Sequence, residues 1–375
     1  MKYGYYTTNS LIKYFEFKDD KVINSHIYKK SDELKIFDLV LCKVGRKHLN
    51  GYFVELPFSK MGYLSTDKKF SDSQIILARI KRLPREDKDY MIDLENEIKD
   101  DYFIYDFTQN DPKYSKKLSD VFRNELAKVF KDEKGYTFRT NLGEFDIESI
   151  KKFFNSFKEK IEAIKRKERI SKVLELVHSY YSEYSLISDT YKIRELEDDF
   201  FTYGIMNVAI FDGIRVTFDK TSAMNIFDID SHKFISNDIS MINKKAYELI
   251  LEMIKFKNIY GIILIDFLKG DNLKFIENND SDMKYFGKTR LGIGEFTRRA
   301  NSSSVFDIGI DICLLDYFIF RYSEEIKLVK PKEICLSINE CFKNLGISYL
   351  LQESFNCKVD IEYNNTNIIG ISYVK

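Results

Sequence analysis

The chain has no tryptophan and only four prolines among its 375 residues. The shortage accompanies heavy use of Lys, Ile, Tyr, Phe and Asn, a skew that fits an AT-rich genome and carries no functional weight. Net charge is also missing: 59 basic residues balance 59 acidic ones. No global field attracts nucleic acid, so a nucleic-acid role would have to rest on local basic patches. The five cysteines, Cys42, Cys313, Cys335, Cys341 and Cys357, form no CxxC pair and no regular framework. In a chain of this size they read as reduced thiols in a cytoplasmic setting. No apolar run reaches membrane-spanning length; the best, Tyr260 to Leu268, is strand-sized and contains Asp266. The first six residues lack the apolar core of a secretory signal. The expectation is a cytosolic protein with no membrane partner.

What is present is an ordinary globular balance, 44% hydrophobic and 31% charged, in a chain long enough for two or three modest domains. Residues 11 to 28 alternate as a strand pair about an Asp19-Asp20 turn. Further short strands follow at close spacing: Phe37 to Val44, Tyr52 to Leu56, Gly62 to Leu64 and Ile75 to Ile80. Asn50-Gly51 supplies a tight hairpin signal between the first two. This rhythm predicts a small OB-type barrel. Residues 98 to 145 are mixed. Asp146 then makes a helix N-cap, and Ile150, Phe153, Phe154, Phe157, Ile161 and Ile164 recur at helical spacing. The basic run Lys165-Arg166-Lys167-Glu168-Arg169 at its end reads as a solvated helix terminus.

From Gly204 the chain turns to apolar strands: Ile205 to Phe211, Arg215 to Phe218, Asn225 to Ile229 and Gly261 to Ile265. A helix over Asn243 to Phe256 lies between the last two. That is a strand-helix-strand crossover of an α/β sheet. The tail from Ile326 predicts a strand, a helix around Ile338 to Leu345, and strands at 358–361 and 368–374. The fold class is therefore a multi-subdomain α+β and α/β protein. Its expected parts are an N-terminal strand pair (1–36), an OB-type barrel (37–97) and a subdomain with the amphipathic helix (98–180). An α/β subdomain with the carboxylates (181–320) and a short α/β tail (321–375) complete it.

Phe227-Asp228-Ile229-Asp230-Ser231 puts two carboxylates on one face at a strand end, and Asp266 ends the strand beyond the crossover helix. If the two strands are parallel neighbours, all three acids converge at the carboxyl edge of the sheet, where open α/β sheets place their sites. Oxygen ligands with room for water suit magnesium or manganese. The competing interpretation is a strand-terminal Asp that caps the turn or helix after it.

These stretches are similar to the ribonuclease E/G family. Thr221-Ser222-Ala223-Met224-Asn225-Ile226-Phe227-Asp228-Ile229-Asp230-Ser231 resembles the family's Thr-Glu-Ala-x-x-x-Ile-Asp-[Ile/Val]-Asn-Ser segment. Gly261-Ile262-Ile263-Leu264-Ile265-Asp266-Phe267 resembles its Ile-Val-Ile-Asp-Phe segment. The resemblance implies that Asp228 and Asp266 are the magnesium ligands, with Asp230 where the family has an auxiliary Asn. Leu291 to Arg299, preceded by Lys288 and Arg290, is similar to the family's Phe-Gly-Leu-Leu-Glu-Met-[Ser/Thr]-Arg-x-Arg stretch near the RNA. Lys288, Arg290, Arg298 and Arg299 would then neutralise the phosphate backbone; otherwise the arginines are surface charge on a helix face.

The barrel resembles the family's RNA-binding domain, with Phe53 and Tyr63 at the base-stacking positions; an inward-facing Phe53 would instead be barrel core. Tyr136-Thr137-Phe138-Arg139-Thr140 resembles the family segment whose Arg and Thr grip a 5′-monophosphate, which makes Arg139 and Thr140 the 5′-end sensor. The departures are Ser222 for the family Glu, Asp230 for Asn, and the absence of the Cys-x-x-Cys zinc link after Arg299, where only Cys313 lies nearby. Zinc and the usual zinc-linked dimer thereby lose their support, and a homo-oligomer of another kind stays open. The implied activity is a magnesium-dependent endoribonuclease on single-stranded RNA, stimulated by a 5′-monophosphate. The alternatives are a catalytically eroded RNA-binding protein of the same fold and an unrelated α/β metal-dependent phosphohydrolase.

Overall fold

A computed structural model describes residues 2–84, 88–95, 97–170, 173–231, 238–270, 273–276, 283–364 and 370–374. The side chains of Glu168, Arg169, Ile170, Cys341 and Val374 and the backbone of Ile368–Ile369 lie outside what is described. The chain forms two compact units: Leu34–Ser182, inserted into a second made of Met1–Glu33 and Glu183–Lys375.

In the inserted unit, strands Leu39–His48, Gly51–Leu56, Lys60–Ser65, Ile75–Arg82 and Tyr90–Leu94 close into a five-stranded, OB-like barrel. Counted along the chain, the order around it is first, second, third, fifth, fourth, and the fourth pairs back onto the first. Closure removes the sheet edges and gives each strand an inward and an outward row. Val44, Tyr52, Val54, Leu56, Leu64, Ile80 and Ile92 fill the interior. The first hairpin turns at Leu49 (φ 49°) and Asn50 rather than at Asn50-Gly51. Gly51 is required for a different reason: a Cβ there would collide with the Leu64 carbonyl oxygen and meet the Tyr63 ring at 2.8 Å.

Behind the barrel the amphipathic helix runs over Ile147–Ile170, and the Ser149 backbone amide donates to Asp146 Oδ1 at 2.8 Å. Its Ile150, Phe154, Phe157, Ile161 and Ile164 pack in one core with Phe103, Phe138, Leu39 and Leu77. Barrel and helical part therefore share hydrophobic contacts within one unit.

In the second unit the N-terminal strand pair gains a third member: Lys2–Thr7, Leu11–Lys18 and Lys21–Lys29 form an antiparallel sheet with Ser185–Leu186 added at its edge. Asp19 and Asp20 both take positive φ, 51° and 60°, the conformation a two-residue hairpin turn needs. The expected strand start at Ile205 is instead the end of a π-turn, Phe200–Ile205, which continues helix Thr190–Asp199. Gly204 is glycine because a Cβ would press on the Phe200 ring at 2.7 Å. In the tail, Ile326 belongs to helix Ile310–Val329, the strand is Glu333–Asn339, and the helix falls at Ile347–Phe355. Leu328 and Val329 after Ile326 are exposed apolar residues of the last helical turn, which a local reading takes for a strand.

Asp199 supplies a pH test of this unit. Burial, with Glu195 and Glu252 nearby, pushes its carboxyl up to about 6. A folded-state value above the unfolded one favours folding fully at low pH, and the benefit fades as pH rises from about 4 through 6. Asp199→Asn is therefore expected to stabilise the protein at pH 7 by on the order of 1 kcal/mol, after allowing for solvent screening. It should leave stability unchanged at pH 4. Thermal unfolding at the two pH values checks this, and an equal shift at both would refute it.

Candidate active site

The carboxylates sit on a six-stranded sheet. Its strand order is Val208–Phe211, Ile214–Lys220, Met224–Asp230, Gly261–Asp266, Ile293–Arg298 and Met283–Lys288. One pair is parallel, Met224–Asp230 with Gly261–Asp266; the remaining neighbours are antiparallel. The crossover helix, Ile239–Lys257, covers one face. Ile242, Ala246, Leu249, Ile250 and Met253 pack with Phe227, Ile229, Ile263 and Ile265. Alternation then sends the other row of each strand to the uncovered face, which includes Ile226, Asp228 and Asp230 on one strand and Ile262, Leu264 and Asp266 on the next.

On that face Asp228 and Asp266 are direct register partners. Adjacent strands lie about 4.8 Å apart, so the two carboxylates emerge side by side. Both are exposed at the carboxyl ends of their strands. Neither has a hydrogen-bond or ion-pair partner among the described residues, and in particular neither caps the segment that follows. The capping role belongs to Asp238, which accepts from the Ser240 and Met241 amides at the start of the helix. Like charges held this close repel, which costs stability unless a cation or donor group joins them.

The platform under Asp266 is fixed from below. Asn243, fully buried on the helix, donates to the Leu268 carbonyl at 3.0 Å and accepts from the Leu268 amide at 3.0 Å. Phe267 is buried, and a Cβ on Gly294 would meet its ring at 2.8 Å. The strand end is thus pinned on both sides of the acid. Asn243→Ala would strand a buried amide and a buried carbonyl, at a cost of about 2–3 kcal/mol. The expected result is a lower midpoint in thermal unfolding, and an unchanged midpoint would show that the Leu268 backbone is held without this side chain.

Asp230 does not complete a triad. It lies one row past the end of strand Gly261–Asp266 and faces Arg215 across the other neighbour. Among the described residues no group of three or more His, Cys, Asp or Glu side chains is placed to hold a metal ion. The convergence of three acids expected from the sequence is thus a convergence of two. Ser222 is also remote: it precedes Met224, which is four strand residues, roughly 13 Å, from Asp228. Its side of the sheet is organised by Thr221, whose hydroxyl accepts from the Ala223 and Met224 amides. The Ser222 departure therefore leaves the surroundings of the acid pair untouched.

The four expected cations separate into two groups. Strand Ile293–Arg298 runs antiparallel to Gly261–Asp266, with Asp266 opposite Ile293 and Gly261 opposite Arg298. Lys288 and Arg290, both exposed, flank the hairpin tip next to Ile293 and share the carboxylate edge. Arg298 and Arg299 lie at the far edge, about five residues or 16 Å away. Arg298 is moreover buried, and its guanidinium donates to the Ile259 carbonyl at 2.9 Å. A phosphate-neutralising role for Arg298 does not survive this placement: the residue lies on a strand, not a helix, and alternation turns it inward. The cation that sequence reasoning missed is Arg215, exposed on the open face beside Asp230. Only the register reveals it, because 13 residues separate it from Asp228.

Elsewhere, Phe53 and Tyr63 are half-buried on the outer barrel wall, opposite each other in register, with ring centroids 5.7 Å apart. Phe53 is not interior packing. Arg139 is half-buried and donates to the Asp100 carbonyl, and Thr140 shares a 2.7 Å hydrogen bond with the Ser115 hydroxyl. Lys116 and Lys117 are exposed beside that pair. Cys313 is buried in helix Ile310–Val329, and burial pushes its thiol up to about 12. Among the described residues no helix is long and apolar enough to cross a membrane.

Barrel, open-faced mixed sheet and paired strand-end acids describe an α+β protein with a two-carboxylate edge. Residues 172–299 match the Ribonuclease E/G family, and that match supports a ribonuclease E/G assignment. The matched segment holds Asp228, Asp230, Asp266, Lys288, Arg290, Arg298 and Arg299; Phe53, Tyr63, Arg139 and Thr140 lie outside it. The assignment points to endoribonuclease activity and an RNA substrate. No curated protein matches the chain.

Proposed function

We propose that the protein is a divalent-metal-dependent endoribonuclease acting on single-stranded RNA, with Asp228 and Asp266 as its metal-holding pair. The observation that carries this reading is their in-register placement, exposed and unpartnered among the described residues, inside the family-matched segment. Two carboxylates with open solvent around them fit magnesium or manganese, which keep several waters and take one or two carboxylates. When bound, such an ion supplies charge neutralisation and activates water for in-line attack on a phosphodiester.

The chain's own contribution is positional. The parallel strand pair presents two carboxylate groups at one edge. Lys288 and Arg290 bring positive charge to the same edge, suited to non-bridging phosphate oxygens. Arg215 adds a third cation and offsets Asp230, which serves as an auxiliary acid outside the pair. Phe53 and Tyr63 stack bases on the barrel, while Arg139 and Thr140 hold a 5′-monophosphate. Arg139 already spends one donor on Asp100, which leaves the rest of its fork for phosphate.

The test is incubation of the full chain with magnesium and a 5′-monophosphorylated, AU-rich single-stranded oligonucleotide. Cleavage that chelation abolishes supports the reading. Tight binding without cleavage would favour a non-catalytic RNA-binding protein instead.

A further inference from the structure

The first barrel strand ends in three exposed residues, Arg46, Lys47 and His48. An irregularity between Val44 and Lys47 inserts one residue into this strand relative to its partner. Without it, Lys47 would face Gly51. With it, Lys47 pairs with Tyr52 of the inward row, and His48 pairs with Gly51 of the outward row. Phe53 is the next outward residue on the partner strand. The extra residue therefore delivers the imidazole to the wall that already carries Phe53 and Tyr63.

The rings are contiguous. His48 and Phe53 have centroids 5.3 Å apart at 46°, and Phe53 and Tyr63 are 5.7 Å apart at 68°. Their mutual tilts prevent them from lying flat on one another, so each keeps a face for another planar group. Tyr63 lies over Gly51, where any Cβ would strike its ring, and its hydroxyl donates to the His48 carbonyl at 3.0 Å. That bond uses backbone, so the hairpin is tied whatever side chain stands at 48. Arg46, exposed in the same strand end, supplies adjoining positive charge.

We infer that His48 is a third base-stacking position on the barrel. It extends the surface for single-stranded RNA from two nucleotides to three, with Arg46 close by for the phosphates between them. Bases of an unpaired strand can splay onto successive tilted rings, whereas a duplex hides its base faces. The inference rests on the RNA-binding reading above.

The experiment measures affinity of the full chain for a labelled single-stranded RNA of about 12 nucleotides, within the site sizes of such barrels, by fluorescence anisotropy without divalent metal. The proteins compared are wild type, Phe53→Ala, Tyr63→Ala, His48→Ala, His48→Phe and His48→Leu. His48→Ala is expected to weaken binding about five-fold or more, His48→Phe to restore it, and His48→Leu to fail. All three His48 variants should keep the wild-type thermal midpoint, because the Tyr63 hydrogen bond goes to a carbonyl. If Phe53→Ala and Tyr63→Ala weaken binding while His48→Ala does not, or if Leu rescues as well as Phe, the third position is refuted. If wild type itself fails to bind, the underlying RNA reading is what has failed. Equal affinity for a duplex of the same sequence would overturn base stacking as the mode.

Discussion

Replacing either Asp228 or Asp266 with asparagine is expected to lower RNA cleavage by roughly three orders of magnitude and to leave the thermal midpoint unchanged or slightly higher. The two halves of that result have different causes. An ion held between paired carboxylates contributes several kcal/mol of transition-state stabilisation, and about 4 kcal/mol corresponds to 10³ in rate. Either acid alone is a monodentate surface carboxylate of the kind found all over a protein. Stability, by contrast, gains nothing from these side chains. They are exposed, and no described residue donates to them. In the metal-free protein they also repel each other across neighbouring strands, so neutralising one relieves that repulsion. Calorimetric titration with manganese supplies the second readout: both variants should lose the binding event. A variant that folds normally and binds manganese as wild type does would sink the assignment of that acid. Asp230→Asn, one row beyond the pair, should cost far less. A loss as large as that of Asp228→Asn would move Asp230 into the pair's role.

The pairing of Asp228 with Asp266 is legible in the amino-acid sequence, because two apolar strands joined through a helix are parallel by topology, and both acids end their strands. The barrel is legible as well, from its turn spacing. What local patterning cannot supply is register. Arg298 reads as a surface cation until the antiparallel register puts it opposite Gly261 and turns it inward. Ser222 reads as a neighbour of Asp228 because they are close in sequence, yet a strand separates its ends by its full length. Arg215 and His48 are the converse. Both come to their sites through pairings with residues 15 and 3 positions further along, Asp230 and Gly51, and the second depends on an inserted residue that no periodicity announces. The π-turn at Phe200–Ile205 escapes for a related reason: its apolar residues pack on all sides, so their spacing carries no direction.

Lys13→Met is expected to destabilise the protein by about 3–5 kcal/mol, a loss larger than that of Asn243→Ala. Lys13 occupies the inward row of strand Leu11–Lys18, between Leu11 and Phe15, and is fully buried. Its ammonium group lies 2.5 Å from Glu197 Oε1 and 3.9 Å from Asp316 Oδ2, both of them buried. It also sits 4.0 Å from the centroid of the Phe200 ring. The two acids are not equally dependent on it. Asp316 has other donors, the Thr8 hydroxyl and the Ser10 amide. Burial raises the Glu197 carboxyl, and Lys13 is the chief group opposing that rise. Removing Lys13 therefore leaves Glu197 to ionise in an apolar core or to take up a proton, and either route costs folding energy. The double replacement Lys13→Met with Glu197→Met should recover most of the loss, since a buried ion pair exchanged for apolar packing is often neutral. Chemical denaturation of the two single variants and the double gives the coupling energy directly. A value below about 1 kcal/mol would mean that the pair is held by the surrounding core rather than by its charges. The cluster stands between helix Thr190–Asp199, helix Ile310–Val329 and the N-terminal strands, so its loss should loosen the unit that carries the acid pair without altering any residue at the carboxylate edge.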